Sequence, residues 1–262
     1  MYSFTFIAVV ASMFRLSHAW NYSNTTIIPS SGTLNPNASA DVSTDVYNQL
    51  KLARGYSDRL NTLLAQNNTD LFKFNFNPAV AGATASRGIG GLAVLADSTT
   101  APSLINTGVA MALGFLEPCG VNTPHYHAFA TQLVAVVSGG PIQAGVIWAN
   151  AAPTEQLSTT VYTFEMVTLP QGSIHYVFND NCEPAITANA FSSDDPGILN
   201  VAPTLFKFNA DILNGTLDYP DNLDGTTPNG FLNHIPPSYA LGSAACLQRC
   251  GISQSVVGTA PT

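Results

Sequence analysis

The sequence predicts a mainly β fold, an antiparallel sandwich or small barrel of jelly-roll type, with helical extensions at both ends. The first observation is a series of short apolar stretches between residues 70 and 192, many alternating with polar residues and separated by Gly, Pro, Asn and Asp. Successive side chains of a strand point to opposite faces, so this alternation suits sheets with one face buried. The second is that apolar spacings of three and four, which gather side chains on one helix face, are not sustained there and return on either side. The third is size: 262 residues with 46% hydrophobic side chains can bury a sizeable core.

Taken in order, residues 1–19 read as a secretory signal. The apolar run FTFIAVVASMF is followed by Ser17-His18-Ala19, a small-x-small cleavage pattern, although no basic residue precedes the run and Arg15 comes late. The run is too short to cross a bilayer, and no later segment holds about 18 uninterrupted apolar residues, so no membrane partner is expected. Residues 20–69 form an Asn/Ser/Thr-rich lead-in and two short helices. Val46, Leu50 and Ala53 share one helix face up to Gly55, and a second helix is expected with Ser57 as its N-cap and Leu60, Leu63 and Leu64 on one face. Phe72, Phe74 and Phe76 alternate with Lys73 and Asn75, which predicts a strand. A β domain over 70–205 then offers candidate strands at 89–96, 107–117, 124–128, 131–137, 142–149, 160–164, 166–169, 174–178 and 185–191. After Asp194-Asp195-Pro196-Gly197 the pattern changes. The extension 206–262 is expected to be partly helical at 205–214 and 229–251, broken by Pro220, Pro228, Pro236 and Pro237.

Charge excludes one class of partner. The chain carries eight Lys+Arg and a net charge of −8, too few cations to build a phosphate-binding patch, so nucleic acid is not expected. Charged residues are only 9% of the chain, against about 25% in average domains, so Asn, Ser, Thr and glycans must keep the surface wet. Five N-x-[ST] sequons, at Asn21, Asn24, Asn37, Asn67 and Asn214, point to a glycoprotein. Four cysteines, Cys119, Cys182, Cys246 and Cys250, are an even set suited to disulfides in an oxidising compartment, and no CxxC pair is present. These features together predict a secreted, extracellular protein.

The chemistry concentrates in two stretches. In CGVNTPHYHAFATQ, His125 and His127 are two apart and so face the same way on a strand. Two imidazoles on one face can share a metal ion when further ligands come from elsewhere, and Gln132 and His175, the latter in LPQGSIHYVFN, are the candidates. His234 is left over and is assigned to packing. Tyr126, Phe129, Tyr176 and Phe178 flank the histidines as candidates for either a cavity wall or plain core.

The run from Gly120 through Pro124, His125, His127 and Gln132 to Gly139 resembles the first motif of germins and germin-like proteins, and Pro170, Gly172, His175 and Asn179 resemble the second. SSDDPGILNVAPTLF at 192–206 is similar to the segment that follows their barrel, and the spherulin-like branch is the one it resembles most. The resemblance implies a cupin (jelly-roll) β-barrel, a manganese ion, and ligands at His125, His127, His175 and, in place of the family glutamate, Gln132. Phe164 and Cys119 stand where the motifs usually have glycine. A neutral amide is a weaker ligand than a carboxylate and leaves the metal charge uncompensated, so copper or zinc becomes as suitable as manganese. A carboxylate at 132 is nearly isosteric and is expected to fit without repacking. If the two histidine strands are neighbours, as the fold implies, Cys119 and Cys182 face each other nearly in register with His125 and His175. That expectation gives disulfides 119–182 and 246–250. The resemblance further implies a small oxygen-containing ligand, of oxalate or superoxide type for an oxidoreductase, and a homo-oligomer. The rival readings are a non-catalytic, metal-binding wall or spore-coat protein and a metal-free sugar-binding or hydrolytic domain. The last lacks a recognisable nucleophile motif.

Overall fold

A computed structural model describes residues 42–79, 84–149, 155–218 and 235–253. The predicted signal segment, His18, His234 and the sequons at Asn21, Asn24 and Asn37 lie outside these residues. Two antiparallel sheets face each other. The first runs β1 (Thr84–Gly88), β2 (Gly91–Ala96), β3 (Ala110–Leu116), β10 (Ala185–Phe191), β5 (Gln132–Ser138), β8 (Met166–Leu169). The second runs β11 (Leu199–Asn200), β4 (Gly120–Tyr126), β9 (Ile174–Phe178), β6 (Ile142–Ile147), β7 (Leu157–Val161), with β12 (Tyr239–Leu241) also on β4. Val134, Val136 and Leu169 of the first sheet meet Ile142, Val146 and Val177 of the second in one buried core. Every strand predicted between 89 and 191 is present; 166–169, 174–178 and 185–191 match end to end, and the others have shifted ends.

The strand expected at Phe72–Phe76 is not part of either sheet. Thr69–Phe72 form a 3-10 turn, and Phe74 and Phe76 pack edge to face, 4.9 Å apart, against Val94 and Phe115 on the outer face of β2 and β3. Alternation marks a one-sided extended segment, and lying across a sheet satisfies it as well as pairing within one. Helix α1 (Thr44–Leu52) is capped by Ser43, whereas α2 (Tyr56–Ala65) starts from Gly55, so the expected cap Ser57 lies in its first turn instead. Of the predicted apolar face of α2 only Leu63 is buried, beside Val46, Leu50, Leu71 and Ile105; Leu60 and Leu64 are exposed.

After α3 (Val201–Leu205) and α4 (Ala210–Thr216), the chain returns to the barrel. β12 takes the edge of β4 at Gly120–Asn122, while β11 takes the same edge at His125–Tyr126. The approach is tight: a Cβ at Gly90 would collide with the carbonyl oxygen of Ala240. Tyr239 is thereby carried into the core beside Leu116 and Val177. Helix α5 (Ala244–Arg249) follows, capped by Ser243 and tied to the barrel by Arg249, whose Nη2 donates to Asp180 Oδ1 at 2.7 Å. No helix among the described residues is long and apolar enough to cross a membrane.

The two disulfides are Cys119–Cys246 and Cys182–Cys250, not the expected 119–182 and 246–250. β4 and β9 are neighbours, as expected, and His125 lies opposite His175. The register shifts between Asn122 and His125, however, and both cysteines lie beyond the ladder. Cys119, with φ +57°, sits in the turn entering β4. Cys246 and Cys250 lie one turn apart, and such positions hold their Cβ atoms at about 5–6 Å, too far for a disulfide span of about 3.5–4.5 Å. They face the barrel together instead, and each reaches a different barrel loop.

Candidate metal centre

The site lies between the sheets. β4 and β9 bring His125 and His175 directly opposite each other, with ring centroids 4.4 Å apart. His127, just past the end of β4, stands 5.3 Å from His125 and 5.5 Å from His175. All three are buried, and their ligand-capable nitrogens lie within 4.8 Å of one another. Gln132 enters from the opposite sheet as the first residue of β5 and is also buried. The structure thus brings together all four residues singled out in the sequence.

Each imidazole is oriented by a backbone carbonyl. Nδ1–H of His125 donates to Thr123 at 2.7 Å, that of His127 to Gly197 at 2.5 Å, and that of His175 to Ser173 at 2.9 Å. A carbonyl can only accept, so these contacts fix the tautomer and leave the lone pair on Nε2. Nε2 of His127 and of His175 and Oε1 of Gln132 are buried with no hydrogen-bond partner. Buried polar atoms without partners are costly, and three acceptors beside one another are what a cation satisfies.

Electrostatics favour the uncharged ring. Burial, with the neighbouring histidines, holds His125 well below the usual imidazole range, and burial with His127 lowers His175 to about 4. Burial also lowers His127, partly opposed by its contacts with Gly197 and with Gln132. Near neutral pH the three rings are therefore neutral, the form in which imidazole binds metal.

His125 and His127 open on a cavity of about 220 Å³, walled also by Gln132, Phe191 and Tyr239 and by Asp195–Ile198. Tyr126, Phe129, Tyr176 and Phe178 are not in its wall; Phe129 is exposed, and Phe178 packs with α5. Sequence reading missed Asn189, Phe191 and Tyr239. A polar Asn in the alternating run AITANAF, inward by parity, was the available signal for Asn189. Phe164, one of the two departures from the motif glycines, has φ +71° in the tight turn between β7 and β8. That backbone region favours glycine, and the side chain there is exposed and remote from the cavity.

Comparison with known proteins agrees. Residues 77–225 match the cupin family. Spherulin-1A of Physarum polycephalum is 34% identical over 215 residues, covering 82% of this chain and 82% of that protein. Putative germin-like protein 3-2 of Oryza sativa subsp. japonica is 29% identical over 166 residues, 63% of this chain and 73% of the relative. A solved oxalate oxidase in complex with the substrate analogue glycolate superposes with a TM-score of 0.53 over 59% of this chain and 78% of that one, at 24% identity, a likeness of fold. With a family match over more than half its length and two buried motifs forming one site, this chain belongs to the cupins, in their germin- and spherulin-like branch.

Proposed function

We propose that the protein is a secreted metal-binding cupin in which His125, His127 and His175 hold one divalent transition-metal ion, with Gln132 Oε1 as the fourth donor. The observation that carries this is the set of buried acceptors without partners, two Nε2 atoms and one Oε1, beside a third imidazole held in the same tautomer. Manganese is the metal of the resemblance; three imidazoles and a neutral amide suit copper or zinc equally. When bound, the ion supplies a Lewis-acid centre for a small oxygen ligand. The residues supply ring orientation, exclusion of bulk water and a cavity of about 220 Å³, which fits a small molecule. The oxalate oxidase neighbours are consistent with such a ligand. Calorimetric titration of metal-stripped protein with Mn²⁺, Cu²⁺ and Zn²⁺ tests this, with one site per chain expected; no binding of any of the three would end the proposal.

The neutral fourth donor favours binding without manganese oxidase turnover, and so an extracellular wall or coat role over an oxidoreductase of oxalate or superoxide type. Two disulfides in the folded chain support secretion. Self-association is also proposed. Leu133, Val137 and Met166 are exposed on the outer face of β5 and β8, and neither these strands nor β10 carries a charged residue, so a second copy is the partner that suits this face. A monomeric mass by light scattering would rule it out.

A further inference from the structure

We infer that Asn189 is a positioning residue for Gln132, and that this pair commits the fourth position of the three-histidine site to a neutral oxygen donor. The inference rests on reading the histidines as metal ligands. Gln132 pairs across β5 and β10 with Phe191, and Asn189 lies two residues before Phe191, on the same face of the strand. Asn189 therefore stands diagonally beside Gln132 inside the barrel, and both side chains are buried.

The orientation of the pair starts from the backbone. Asn189 Nδ2 lies 3.3 Å from the Ala112 carbonyl oxygen, 3.4 Å from that of Thr187 and 3.1 Å from Thr187 Oγ1. Reversing this amide would set its oxygen against two carbonyl oxygens, none of which can donate. Asn189 Oδ1 is thus held toward Gln132, and it too can only accept. Gln132 answers with Nε2, donating at 3.1 Å, which leaves Oε1 as the branch against His127. Two backbone carbonyls in β3 and β10 therefore decide which atom of Gln132 faces the histidines.

A glutamate at 132 breaks this chain of donors. An ionised carboxylate has no hydrogen to give, and its second oxygen would stand against Asn189 Oδ1 where Nε2 now donates. The near-isosteric change expected to be accommodated without repacking is therefore not neutral; it needs a change at 189 as well.

The test places Asn189→Ala in two backgrounds, the natural chain and Gln132→Glu, and titrates each full-length protein with Mn²⁺ and with Zn²⁺. In the natural background, loss of the Asn189 carboxamide frees Gln132 to turn, and affinity is expected to fall about tenfold. In the Gln132→Glu background the same substitution removes an opposing oxygen, and affinity is expected to rise. A change of the same sign in both backgrounds, or none in either, overturns the inference. A second measurement needs neither variants nor metal. Side-chain amide NMR of the natural protein should show a slowly exchanging Gln132 Nε2 proton; fast exchange overturns the pairing. Failure of the natural protein to bind metal would remove the three-histidine reading, and the amide measurement would then decide the pairing on its own.

Discussion

His125 faces His175 across the β4–β9 ladder, one histidine from each motif, although fifty residues separate them in the chain. The pairing places two imidazoles in contact before any metal arrives. Because burial has already made both reluctant to protonate, the contact carries little charge repulsion near neutral pH. That cost returns in acid.

Stability of the metal-free protein should therefore depend on these rings. His175 titrates at 6.5 when unfolded and at about 4 when folded. Between those values the unfolded chain binds more protons, so stability is full above pH 6.5 and falls as pH drops toward 4. His175 alone contributes on the order of 3 kcal/mol to that fall. Thermal unfolding of the natural protein and of His175→Gln at pH 7 and pH 5 checks it. The variant should lose less on acidification; an equal loss would contradict the assignment.

Peptide mapping without reduction should recover Cys119 linked to Cys246 and Cys182 linked to Cys250. Opening the second bridge by Cys182→Ser with Cys250→Ser releases a 68-residue loop, which the chain-entropy account places at about 4 kcal/mol. A linked 119–182 peptide would show that α5 does not dock where it is seen.

Tyr239→Ala should cost about 3–5 kcal/mol in urea unfolding, because the ring fills the barrel from β12 and is only 3% exposed. Tyr239→Phe should cost far less, since no hydrogen bond holds the barrel through its hydroxyl in the contacts described. Equal losses in the two variants would place the hydroxyl, rather than the ring, at the centre of its role.

Manganese-loaded natural protein should show little oxalate oxidase or superoxide dismutase activity. A neutral Gln132 leaves no anion to offset the additional charge of an oxidised ion, a difference worth several kcal/mol at close range in the interior. Vigorous turnover of either substrate by the manganese form would mean that a neutral fourth donor suffices.

The strand pattern and the two histidine motifs were legible because each is local: alternation over five to seven residues, and imidazoles two apart on one strand. Gln132 was legible through its place after the first motif. What escaped depends on contacts between distant elements. The cysteine pairing turns on α5 lying across both barrel loops, and nothing in residues 244–250 encodes that docking by itself. Asn189 acquires its role only from the β5–β10 register, which sets it diagonally beside Gln132. Phe74 and Phe76 show the converse, a true periodicity serving a segment laid on the sheet instead of in it.

Metal content per chain, measured by mass spectrometry on the natural protein and on His125→Ala, His127→Ala and His175→Ala, bears most directly on the three-histidine centre. The natural protein should carry about one transition-metal ion per chain, and each substitution should lower occupancy by roughly tenfold or more with the β-sheet circular dichroism unchanged. Full metal content in all three variants would contradict the site.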